Sequence, residues 1–439
     1  MRHICVVGLG KMGLPVAALF ASRGQQVIGA DINEAVVTAI NAGQTPIDNE
    51  PGLAEMIAES VAADRLSATT HTAAAVRASD VVVVLVPLLV APSNDYEPTY
   101  GALDSAMMTI GEGLQPGTLV ILETTVPVGD TRKRFAPILE RASGLRAGAD
   151  FHLVFSPERV QSNQVIKNLL TYPKVLGGID AASTAAGVAF YEECMPASVV
   201  VIAVADSETA EFAKIAECVY RDVNIALANE LAICAAEVGI DINQVITAAN
   251  SEPLSHIHRP GLGVGGHCIP VYPYFMINRL SQTQLASTAR DINDHMADYA
   301  VSLLTRELGS IEGQSILLLG LSYRANVKEP TFSSALLIAQ ALQAAGATVI
   351  VHDPLFSKAE IERYGVIAAD RDLRDLPTVA AIIVQAWHNE FKTLDWQRFS
   401  GSPLVLDGRS SLDPQAVEAA GLRYHAIGRG SRAVTAPVS

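Results

Sequence analysis

The chain has 439 residues, of which 49% are hydrophobic and 18% charged, and its formal net charge is −15. This length and composition indicate a compact globular protein of two or three domains and argue against a disordered chain. The negative charge argues against an extended surface for nucleic acid or anionic membranes, although a few local cations could still hold an anionic small molecule.

The cysteines and the first apolar run give no sign of a metal site or a secreted protein. The five cysteines, at positions 5, 194, 218, 234 and 268, are odd in number and scattered, which fits a reducing cytoplasm. The apolar run at 4–7 is broken by Gly8 and Gly10 and is too short for a signal peptide or a membrane span. We therefore expect a cytoplasmic protein without a metal, membrane or nucleic-acid partner, and with Cys5 in the core.

A glycine turn follows the first predicted strand. The apolar run 4–7 leads into Gly8-Leu-Gly10-Lys-Met-Gly13 and then into an alanine-rich helical stretch. A second strand at 26–30 is followed by Asp31, 23 positions after Gly8. Strand, glycine turn, helix and acid in this order match the dinucleotide-binding fingerprint.

Each residue of this fingerprint has a physical role. Gly8 allows the tight turn, Gly10 lets a pyrophosphate approach the backbone, and Gly13 allows the helix to pack closely. The helix N-terminus favours the negative charge of the phosphates. Asp31 would accept hydrogen bonds from the ribose hydroxyls and repel a 2′-phosphate, so the sequence predicts NAD as the cofactor rather than NADP.

Further apolar runs at 81–86, 119–123 and 153–155 predict buried parallel strands of a doubly wound α/β sheet. Ligands of such sheets bind beyond the carboxyl ends of the strands, which makes Thr125 and Glu158 candidates by position. From the residues alone, a helix cap for Thr125 and a solvated acid at a helix start for Glu158 remain the alternatives.

A long helix is predicted from Asp206 to Val238, where Gly239 ends it. Its length of roughly 45–50 Å suggests a spine that links two halves, with an alanine-rich flank as a dimer surface. Lys214 and Cys218 are four residues apart and face the same way, with Glu211 one turn earlier. On spacing alone, an exposed Glu/Lys pair beside a core cysteine is the preferred interpretation.

The segment Arg259–Phe275 contains four glycines, at positions 261, 263, 265 and 266, followed by His267 and Cys268. Glycines permit positive φ angles and close approach to a ligand, and loop amides can hold an oxyanion. Cys268 is the candidate nucleophile of the chain. The alternative is a glycine turn that carries a buried, inert cysteine.

A second alternating region has apolar runs at 315–320, 348–353, 379–385 and 404–409, with a helix at 335–345, and predicts another open α/β sheet. Its first turn lacks the glycine spacing for a pyrophosphate. We therefore expect no second NAD site there, although a nucleotide of another kind could bind. The tail after Gly428 is predicted to be mobile.

Several motifs together resemble the UDP-glucose/GDP-mannose dehydrogenase family over nearly the whole chain. They are the N-terminal fingerprint, Thr124-Thr125-Val-Pro, Ser156-Pro-Glu158-Arg, the Lys214 helix with Tyr220–Leu231, and Gly265-Gly-His-Cys268. The resemblance implies two Rossmann-like doubly wound sheets joined by a long central helix. It implies an NAD-binding domain at 1–200, a central dimerisation domain with the cysteine loop at 206–300, a UDP-sugar-binding domain at 312–426 and a mobile tail at 427–439.

The resemblance also implies a four-electron oxidation of a sugar C6 alcohol to a carboxylate with two NAD+. Cys268 would form a thiohemiacetal and then a thioester. Lys214 would stabilise the oxyanion, and Glu158 with Thr125 would position or activate a water. His267 would orient its neighbour.

The binding residues implied by the resemblance fall into two sets. The cofactor set is Gly8, Gly10, Lys11, Met12, Gly13, Asp31, Pro87 and Thr125. The substrate set is Glu158, Arg159, Val160, Lys214, Arg221, Asn224, His258, Gly261, Gly265, Tyr323 and Arg324. The partners implied are a UDP-sugar and a second copy of the chain, bound through the central helix.

Four positions depart from the family pattern. Cys218 stands where asparagine is common, Leu254 and Thr331 where arginine is common, and Tyr272 where aspartate is common. These changes suggest either different substrate contacts or a nucleotide-sugar-binding homologue that has lost turnover. Ser-Pro-Glu-Arg with Gly-Gly-His-Cys is similar to the branch that acts on UDP-N-acetylhexosamines such as UDP-N-acetylmannosamine. UDP-glucose oxidation and a two-electron reaction that stops at the aldehyde remain alternatives.

Overall fold

The computed structural model describes residues 1–47, 50–399 and 401–429. The chain forms two compact units. The first consists of Met1–Glu217 and Tyr274–Arg279, and the second of Cys218–Pro273 and the chain from Leu280 onward. The boundary between the units therefore falls inside the long predicted helix.

The first unit is built on eight strands with helices between them. The strands are β1 His3–Val7, β2 Gln26–Ala30, β3 Leu66–Thr69, β4 Val81–Val84, β5 Leu119–Leu122, β6 His152–Phe155, β7 Lys174–Gly178 and β8 Val201–Ala203. The helices are α1 Gly13–Ser22, α2 Glu34–Asn41, α3 Leu53–Ala62, α4 Thr72–Arg77, α5 Gly101–Gly113, α6 Ala136–Ser143, α7 Val165–Leu169 and α8 Ala181–Cys194. A π-helical segment, Thr131–Phe135, leads directly into α6.

The sheet of the first unit has the strand order β3-β2-β1-β4-β5-β6-β7-β8. Every residue of β4 and of β5 is buried, as their unbroken apolar runs predict. Neighbouring strands are parallel except β6 and β7, which pair antiparallel with Phe155 opposite Gly177. The start of β7 therefore lies beside the residues that follow β6, and this arrangement becomes important for the site.

The helices from residue 207 onward begin with the long one. They are α9 Ser207–Val238, α10 Ile242–Ala249, α11 Tyr274–Ile277, α12 Gln284–Asp294, α13 Met296–Leu308, α14 Ser334–Ala344, α15 Lys358–Glu362 and α16 Pro414–Ala419. The strands of the second unit are β9 Ser315–Leu319, β10 Thr348–His352, β11 Ile367–Ala368, β12 Ala381–Val384, β13 Leu404–Asp407 and β14 Arg423–Ala426. They form one all-parallel sheet in the order β11-β10-β9-β12-β13-β14, the strand order of dinucleotide-binding folds.

The ends of α9 have local causes. Asp206 caps its first turn, because its Oδ1 accepts a hydrogen bond of 2.8 Å from Thr209 N, and Gly239 follows its last residue with φ of 77°. The 32 residues give a length of roughly 48 Å, as predicted. The expectation of an exposed Glu/Lys pair is wrong. Glu211 is 0% and Lys214 6% exposed.

A short segment of the first unit comes from late in the chain. The ring of Tyr274, the first residue of α11, stacks on the ring of Tyr96 with centroids 4.1 Å apart. Asn278 Nδ2 donates to Asp95 O at 2.8 Å, and Arg279 donates to the hydroxyl of Tyr100 at 3.3 Å. These contacts join Tyr274–Arg279 to the loop that precedes α5.

Two expectations concern regions at the margins of the chain. Residues 430–439 of the predicted mobile tail lie outside the described residues. Before them, Ile427 is buried and Gly428 O accepts a hydrogen bond of 2.9 Å from Ile242 N, so the second unit extends past the predicted limit at 426. No helix within residues 1–47, 50–399 and 401–429 is both long and apolar enough to cross a membrane.

Candidate active site

The glycine turn between β1 and α1 has the geometry of a phosphate-binding turn. Gly8 has φ of +91°, a conformation that favours glycine, and a side chain on Gly13 would overlap the Gly8 carbonyl oxygen. Gly10 has no atom within 4 Å of the position of an added Cβ. The turn therefore leaves open space at the one glycine that a pyrophosphate would approach, and Met12 places no side-chain cap on the α1 N-terminus.

Asp31, at the carboxyl end of β2, is fixed in place by the backbone. Its Oδ2 accepts from Leu9 N at 2.7 Å and its Oδ1 from Asn33 N at 2.9 Å. Each oxygen keeps a further lone pair for a ribose hydroxyl. Beside it, the side chain of Ile32 is 95% exposed, an apolar surface at the adenine end that sequence reasoning missed. These residues fit NAD.

Thr125 and Pro87 follow β5 and β4 at the same edge of the sheet. Thr125 is 6% exposed, and the neighbouring Thr124 donates its hydroxyl to Val86 O at 2.8 Å. The nearest helical segment begins at Thr131 with Asp130 in its N-cap position, so the alternative of a helix cap for Thr125 is wrong. Pro87 is exposed.

Glu158 follows β6 and is held at both oxygens. Its Oε1 accepts from Arg159 N at 2.7 Å, and its Oε2 lies 2.9 Å from Lys174 Nζ. The side chain is only 10% exposed, and no helix begins at this point, so the alternative of a solvated acid at a helix start is wrong. Arg159 forms an ion pair of 2.9 Å with Glu217 on α9.

Lys214 combines burial with the lack of a partner carboxylate. Among the residues that the structure describes it forms no ion pair, although only 6% of it is exposed. Glu211, one turn earlier, instead accepts from Thr131 N at 2.9 Å and from Gly129 N. A buried ammonium group without a carboxylate suits the stabilisation of a developing negative charge.

In the second unit, the glycines of the cysteine segment serve close packing. Gly263 and Gly266 have φ of +87° and +96°. A Cβ on Gly265 would lie 2.7 Å from Tyr323 Cβ, and one on Gly261 would overlap the Arg409 guanidinium group. The segment therefore lies directly against the residues that follow β9 and β13, at the carboxyl edge of the second sheet.

Cys268 differs from the buried thiols. Cys5 and Cys194 are 0% exposed, and burial raises the pKa of each to about 12. Cys268 is half-buried at a turn, where its carbonyl oxygen accepts from Tyr272 N at 2.9 Å. The alternative of a cysteine sealed in the core is therefore wrong. His267 beside it is exposed, and its Nε2 lies 3.9 Å from Glu329 Oε2.

Asn224 on α9 holds the chain that leads to the cysteine. Its Nδ2 donates to His256 O at 2.7 Å, and its Oδ1 accepts from His258 N at 2.8 Å. Burial, with the charge of Arg221 as a smaller cause, lowers the pKa of His258. Of the substrate candidates, Asn224, His258, Gly261, Gly265 and Tyr323 thus line one continuous stretch of the second unit, and the Arg324 guanidinium group lies 5.8 Å from the Tyr323 ring.

The second sheet uses its own acid internally. Asp353, at the carboxyl end of β10 where Asp31 stands in the first sheet, accepts from Leu321 N at 2.8 Å and from Ser322 N at 3.0 Å. His388 Nε2 lies 3.0 Å from the same oxygen, and both side chains are 0% exposed. Burial alone would raise the pKa of Asp353, but the hydrogen bond with His388 and the charge of that ring hold it below its usual value. Asp353 therefore stabilises the turn after β9 and is not available to a ribose.

Two residues of the site were missed from sequence. Arg409, after β13, donates from Nε to Gln385 O at 3.0 Å, and burial lowers its pKa to about 10. Glu158 was a candidate because it follows the carboxyl end of a predicted strand, and the same argument would have made Arg409 a candidate. Lys174 was missed because its signal is weak, a single lysine at the head of an apolar run.

The four departures from the family pattern lie in different environments. Cys218 is buried, and Leu254 is 87% exposed. Tyr272 lies in the turn that Cys268 begins, and Thr331 N donates to Glu329 Oε1 at 3.1 Å.

The site candidates divide between the two units. The first unit holds the cofactor set together with Glu158, Arg159, Val160 and Lys214, and the second holds Arg221, Asn224, His258, Gly261, Gly265, Cys268, Tyr323 and Arg324.

Comparisons with known proteins give one family for the whole chain. Models of the UDP-glucose/GDP-mannose dehydrogenase family match residues 2–195 as the NAD binding domain, 208–295 as the central domain and 317–414 as the UDP binding domain. A UDP-N-acetyl-D-mannosamine dehydrogenase of Escherichia coli K12 is 34% identical, with 89% of this chain and 95% of that protein covered.

Two archaeal proteins are similar over almost their full length. A UDP-N-acetyl-D-mannosamine dehydrogenase of Pyrococcus horikoshii is 32% identical, with 98% of this chain and 99% of that protein covered, and its structure superimposes with a TM-score of 0.84. A UDP-glucose dehydrogenase structure from Pyrobaculum islandicum has a TM-score of 0.86 at 26% identity, with 98% of each chain covered.

The fold and the glycine turn with Asp31 define an NAD-dependent oxidoreductase. With family models that match most of its length, the chain belongs to the UDP-glucose/GDP-mannose dehydrogenase family. It is an NAD-dependent nucleotide-sugar dehydrogenase, and the predicted fold class and cofactor are confirmed.

Proposed function

We propose that the protein oxidises the C6 hydroxyl of a UDP-N-acetylhexosamine to the uronic acid in a four-electron reaction that consumes two NAD+. The motifs Ser156-Pro-Glu158-Arg and Gly265-Gly-His-Cys268 support an acetamido sugar. The Escherichia coli and Pyrococcus relatives, both UDP-N-acetyl-D-mannosamine dehydrogenases, support it as well. The fold does not distinguish an acetamido sugar from glucose, because the structure of a UDP-glucose dehydrogenase is equally similar to this one. UDP-glucose 6-dehydrogenase activity is the second candidate.

One observation carries this proposal. The segment that bears Cys268 lies against the carboxyl edge of the second sheet, where Gly265 fits so closely to Tyr323 that an added Cβ would come within 2.7 Å. Nucleotides bind at this edge in parallel sheets, and the UDP-binding model covers most of that sheet. A UDP moiety held there would present its sugar near the thiol.

NAD, when bound at the glycine turn of the first unit, accepts hydride from the substrate in each oxidation. After the alcohol has become an aldehyde, the Cys268 thiolate attacks the carbonyl carbon to form a thiohemiacetal. Loss of a second hydride converts this adduct into a thioester. Water then cleaves the carbon–sulfur bond, which releases the carboxylate and restores the thiol.

The buried cation and the fixed carboxylate have separate roles in this scheme. Lys214 stabilises the oxyanion of the tetrahedral species, since its ammonium group is buried without a carboxylate partner among the described residues. Glu158, with Thr125, orients the water that attacks the thioester and removes its proton. His267 orients the cysteine turn.

We further propose that two copies associate through α9. Tyr220, Leu227 and Cys234 are exposed at intervals of seven residues along this helix, with exposed fractions of 57% for Tyr220 and 45% for Leu227. A stripe of this spacing fits a helix of a second copy.

All five cysteines are free thiols, which supports the proposed location in a reducing cytoplasm.

The decisive experiment incubates the purified protein with NAD+ and UDP-N-acetylmannosamine, UDP-N-acetylglucosamine or UDP-glucose, and counts NADH per sugar consumed. We expect two NADH per sugar and the highest kcat/KM with an acetamido sugar. One NADH per sugar would contradict the four-electron reaction, a higher kcat/KM with UDP-glucose would overturn the sugar assignment, and no NADH with any sugar would contradict catalysis itself.

The Cys268→Ser variant tests the covalent step. It should lose sustained NADH production while it still binds the UDP-sugar, because the loop backbone is unchanged. Cys194→Ala, at a thiol in the core of the first unit and outside the loop, is the control and should keep normal rates. Normal steady-state NADH production by Cys268→Ser would exclude the thioester.

A further inference from the structure

A buried ionic cluster supports Glu158 from inside the first unit. Lys174 Nζ lies between two carboxylates, 2.8 Å from Glu123 Oε1 and 2.9 Å from Glu158 Oε2. The three side chains are 7%, 0% and 10% exposed, respectively. The Tyr191 hydroxyl donates to Glu123 Oε1 at 2.5 Å, so the cluster has four members.

The direction of β7 is what brings the lysine to this position. In an all-parallel sheet the first residue of a strand lies at the amino edge, away from the ligands. Because β7 pairs antiparallel with β6, its first residue, Lys174, lies beside the residues that follow β6. Ser156 confirms this neighbourhood, since its hydroxyl donates to Val175 O at 3.0 Å.

The charges of the cluster favour an ion pair of Lys174 with Glu158. Burial alone would lower the pKa of Lys174, but the carboxylates of Glu123 and Glu158 raise it well above its ordinary value, so the lysine is charged. Burial, together with the charge of Glu158, raises the pKa of Glu123. Glu123 Oε2 has no hydrogen-bond partner in the described part of the chain and is therefore where a proton can reside.

The other charged groups around Glu158 have partners of their own. The Arg159 guanidinium group is paired with Glu217 at 2.9 Å, and the Tyr191 ring lies 5.1 Å from the Lys174 ammonium group. Lys174 is thus the cation in direct contact with the Glu158 carboxylate. A lysine that only filled the core would not need to reach the carboxylate at the carboxyl edge of the sheet.

We propose that Lys174 is a positioning residue for the reaction: it fixes the Glu158 carboxylate at Oε2, so that this carboxylate is held in place to take a proton from the attacking water. Glu123 and Tyr191 hold the lysine in turn. This inference rests on the proposed function, because it assigns Lys174 a role through Glu158. It predicts a defect in the step that uses water, not in the binding of NAD or the sugar.

Lys174→Met tests the inference by removing the charge and keeping most of the volume. We expect kcat to fall by about tenfold or more while the KM for NAD+ stays within about twofold. NADH should appear as a rapid burst before a slow steady state, because the thioester accumulates.

Two further single variants calibrate this result. Lys174→Arg keeps the charge and should retain most of the wild-type kcat, without an NADH burst. Lys167→Met removes a lysine from the exposed surface of α7 and is the matched control, with wild-type kinetics expected. A Lys174→Met enzyme with a lower Tm but an unchanged kcat and no NADH burst would overturn the inference and leave Lys174 a purely structural role.

The double variant Lys174→Met/Glu123→Gln covers the case in which the single variant does not fold. It replaces the second buried acid by an amide of nearly the same shape, so no carboxyl group that depends on the lysine remains beside Tyr191. We expect it to fold and to keep the low kcat, and recovery of the wild-type kcat would overturn the inference. If the wild type makes no NADH from any UDP-sugar, the proposed function fails instead, so the two failures are distinguishable.

Discussion

Gly10 and Gly13 are three residues apart in one turn, but a side chain is excluded at each position for a different reason. Around Gly10 there is open space, whereas a Cβ on Gly13 would overlap the Gly8 carbonyl. We expect Gly10→Ala to leave the free energy of unfolding within about 1 kcal/mol of the wild type but to raise the Kd for NAD+ at least about tenfold, because the methyl group occupies the pyrophosphate's place.

Gly13→Ala is the matched comparison for this prediction. It should lower the Tm clearly, since α1 must move away from β1 to accept the methyl group. Thermal unfolding and calorimetric titration with NAD+ measure both quantities on both variants. Equal losses of stability in the two variants would contradict the distinction between a ligand-facing and a packing glycine.

Residue positions at strand ends could be predicted from the sequence, but the environments of their side chains could not. Thr125 and Glu158 were selected because carboxyl ends of parallel strands share one edge. Lys174, which pairs with Glu158, was not predicted, because the sequence does not reveal that β7 runs antiparallel to β6. Glu211 and Lys214 were expected in solvent, since helical spacing cannot show that another segment covers that face of α9.

At the scale of elements, Glu211 joins α9 to the loop before the π-helical segment. It accepts hydrogen bonds from Gly129 N and Thr131 N, and burial raises its pKa from 4.5 to about 7. Because the folded state binds this proton more tightly than the unfolded state, the group adds stability below about pH 4.5. That contribution is lost as the pH rises through about 7.

Glu211→Gln should therefore flatten the pH dependence of stability. Between pH 4.5 and 7.5 the wild type should lose up to about 3 kcal/mol of unfolding free energy through this group, and the variant should lack that part of the slope. Urea unfolding at several pH values measures it. Glu230→Gln, an exposed glutamate on the same helix, is the control and should keep the wild-type slope. An unchanged slope in Glu211→Gln would contradict the prediction.

The elements that the sequence predicts agree with the observed ones to within one or two residues at most ends, whereas helices such as α5, α8 and α13 and the short edge strands were not predicted. The strands β4 and β5 are marked by unbroken apolar runs, and helix α9 by capping residues at both ends, so the local sequence is enough to predict them. β11 has two residues, and β14, Arg423–Ala426, alternates too weakly to stand out. Such edge strands exist because a neighbouring strand offers hydrogen bonds, which is information that local sequence lacks.

For the whole molecule, the proposed dimer makes a direct prediction. Leu227→Glu places a charge in the exposed stripe of α9 and should convert a dimer into monomers in sedimentation velocity at micromolar concentration. Leu337→Glu, on α14 with a similarly exposed leucine at 39%, is the control and should leave the assembly unchanged. A monomeric wild type, or a Leu227→Glu variant that stays dimeric, would contradict association through this stripe.

The two sheets show how one strand order serves two ligands. Both have the order 3-2-1-4-5-6 over their first six strands, and both place an aspartate after the second strand. Asp31 lies beside an open glycine turn, whereas Asp353 is sealed by His388 and the backbone of its own turn. The apolar pattern predicted both sheets. Only the contacts of the two aspartates show that the first sheet, and not the second, has an acid available to a ribose.

The composition of the first unit has a practical consequence for dissecting the protein. Because Tyr274–Arg279 belongs to this unit while the chain on either side belongs to the other, no single cut in the gene separates them. A fragment that ends at residue 217 would bare the aromatic face of Tyr96 and leave the Asp95 carbonyl without its amide donor. A soluble NAD-binding fragment would need those six residues grafted back through a linker, or a polar residue in place of Tyr96.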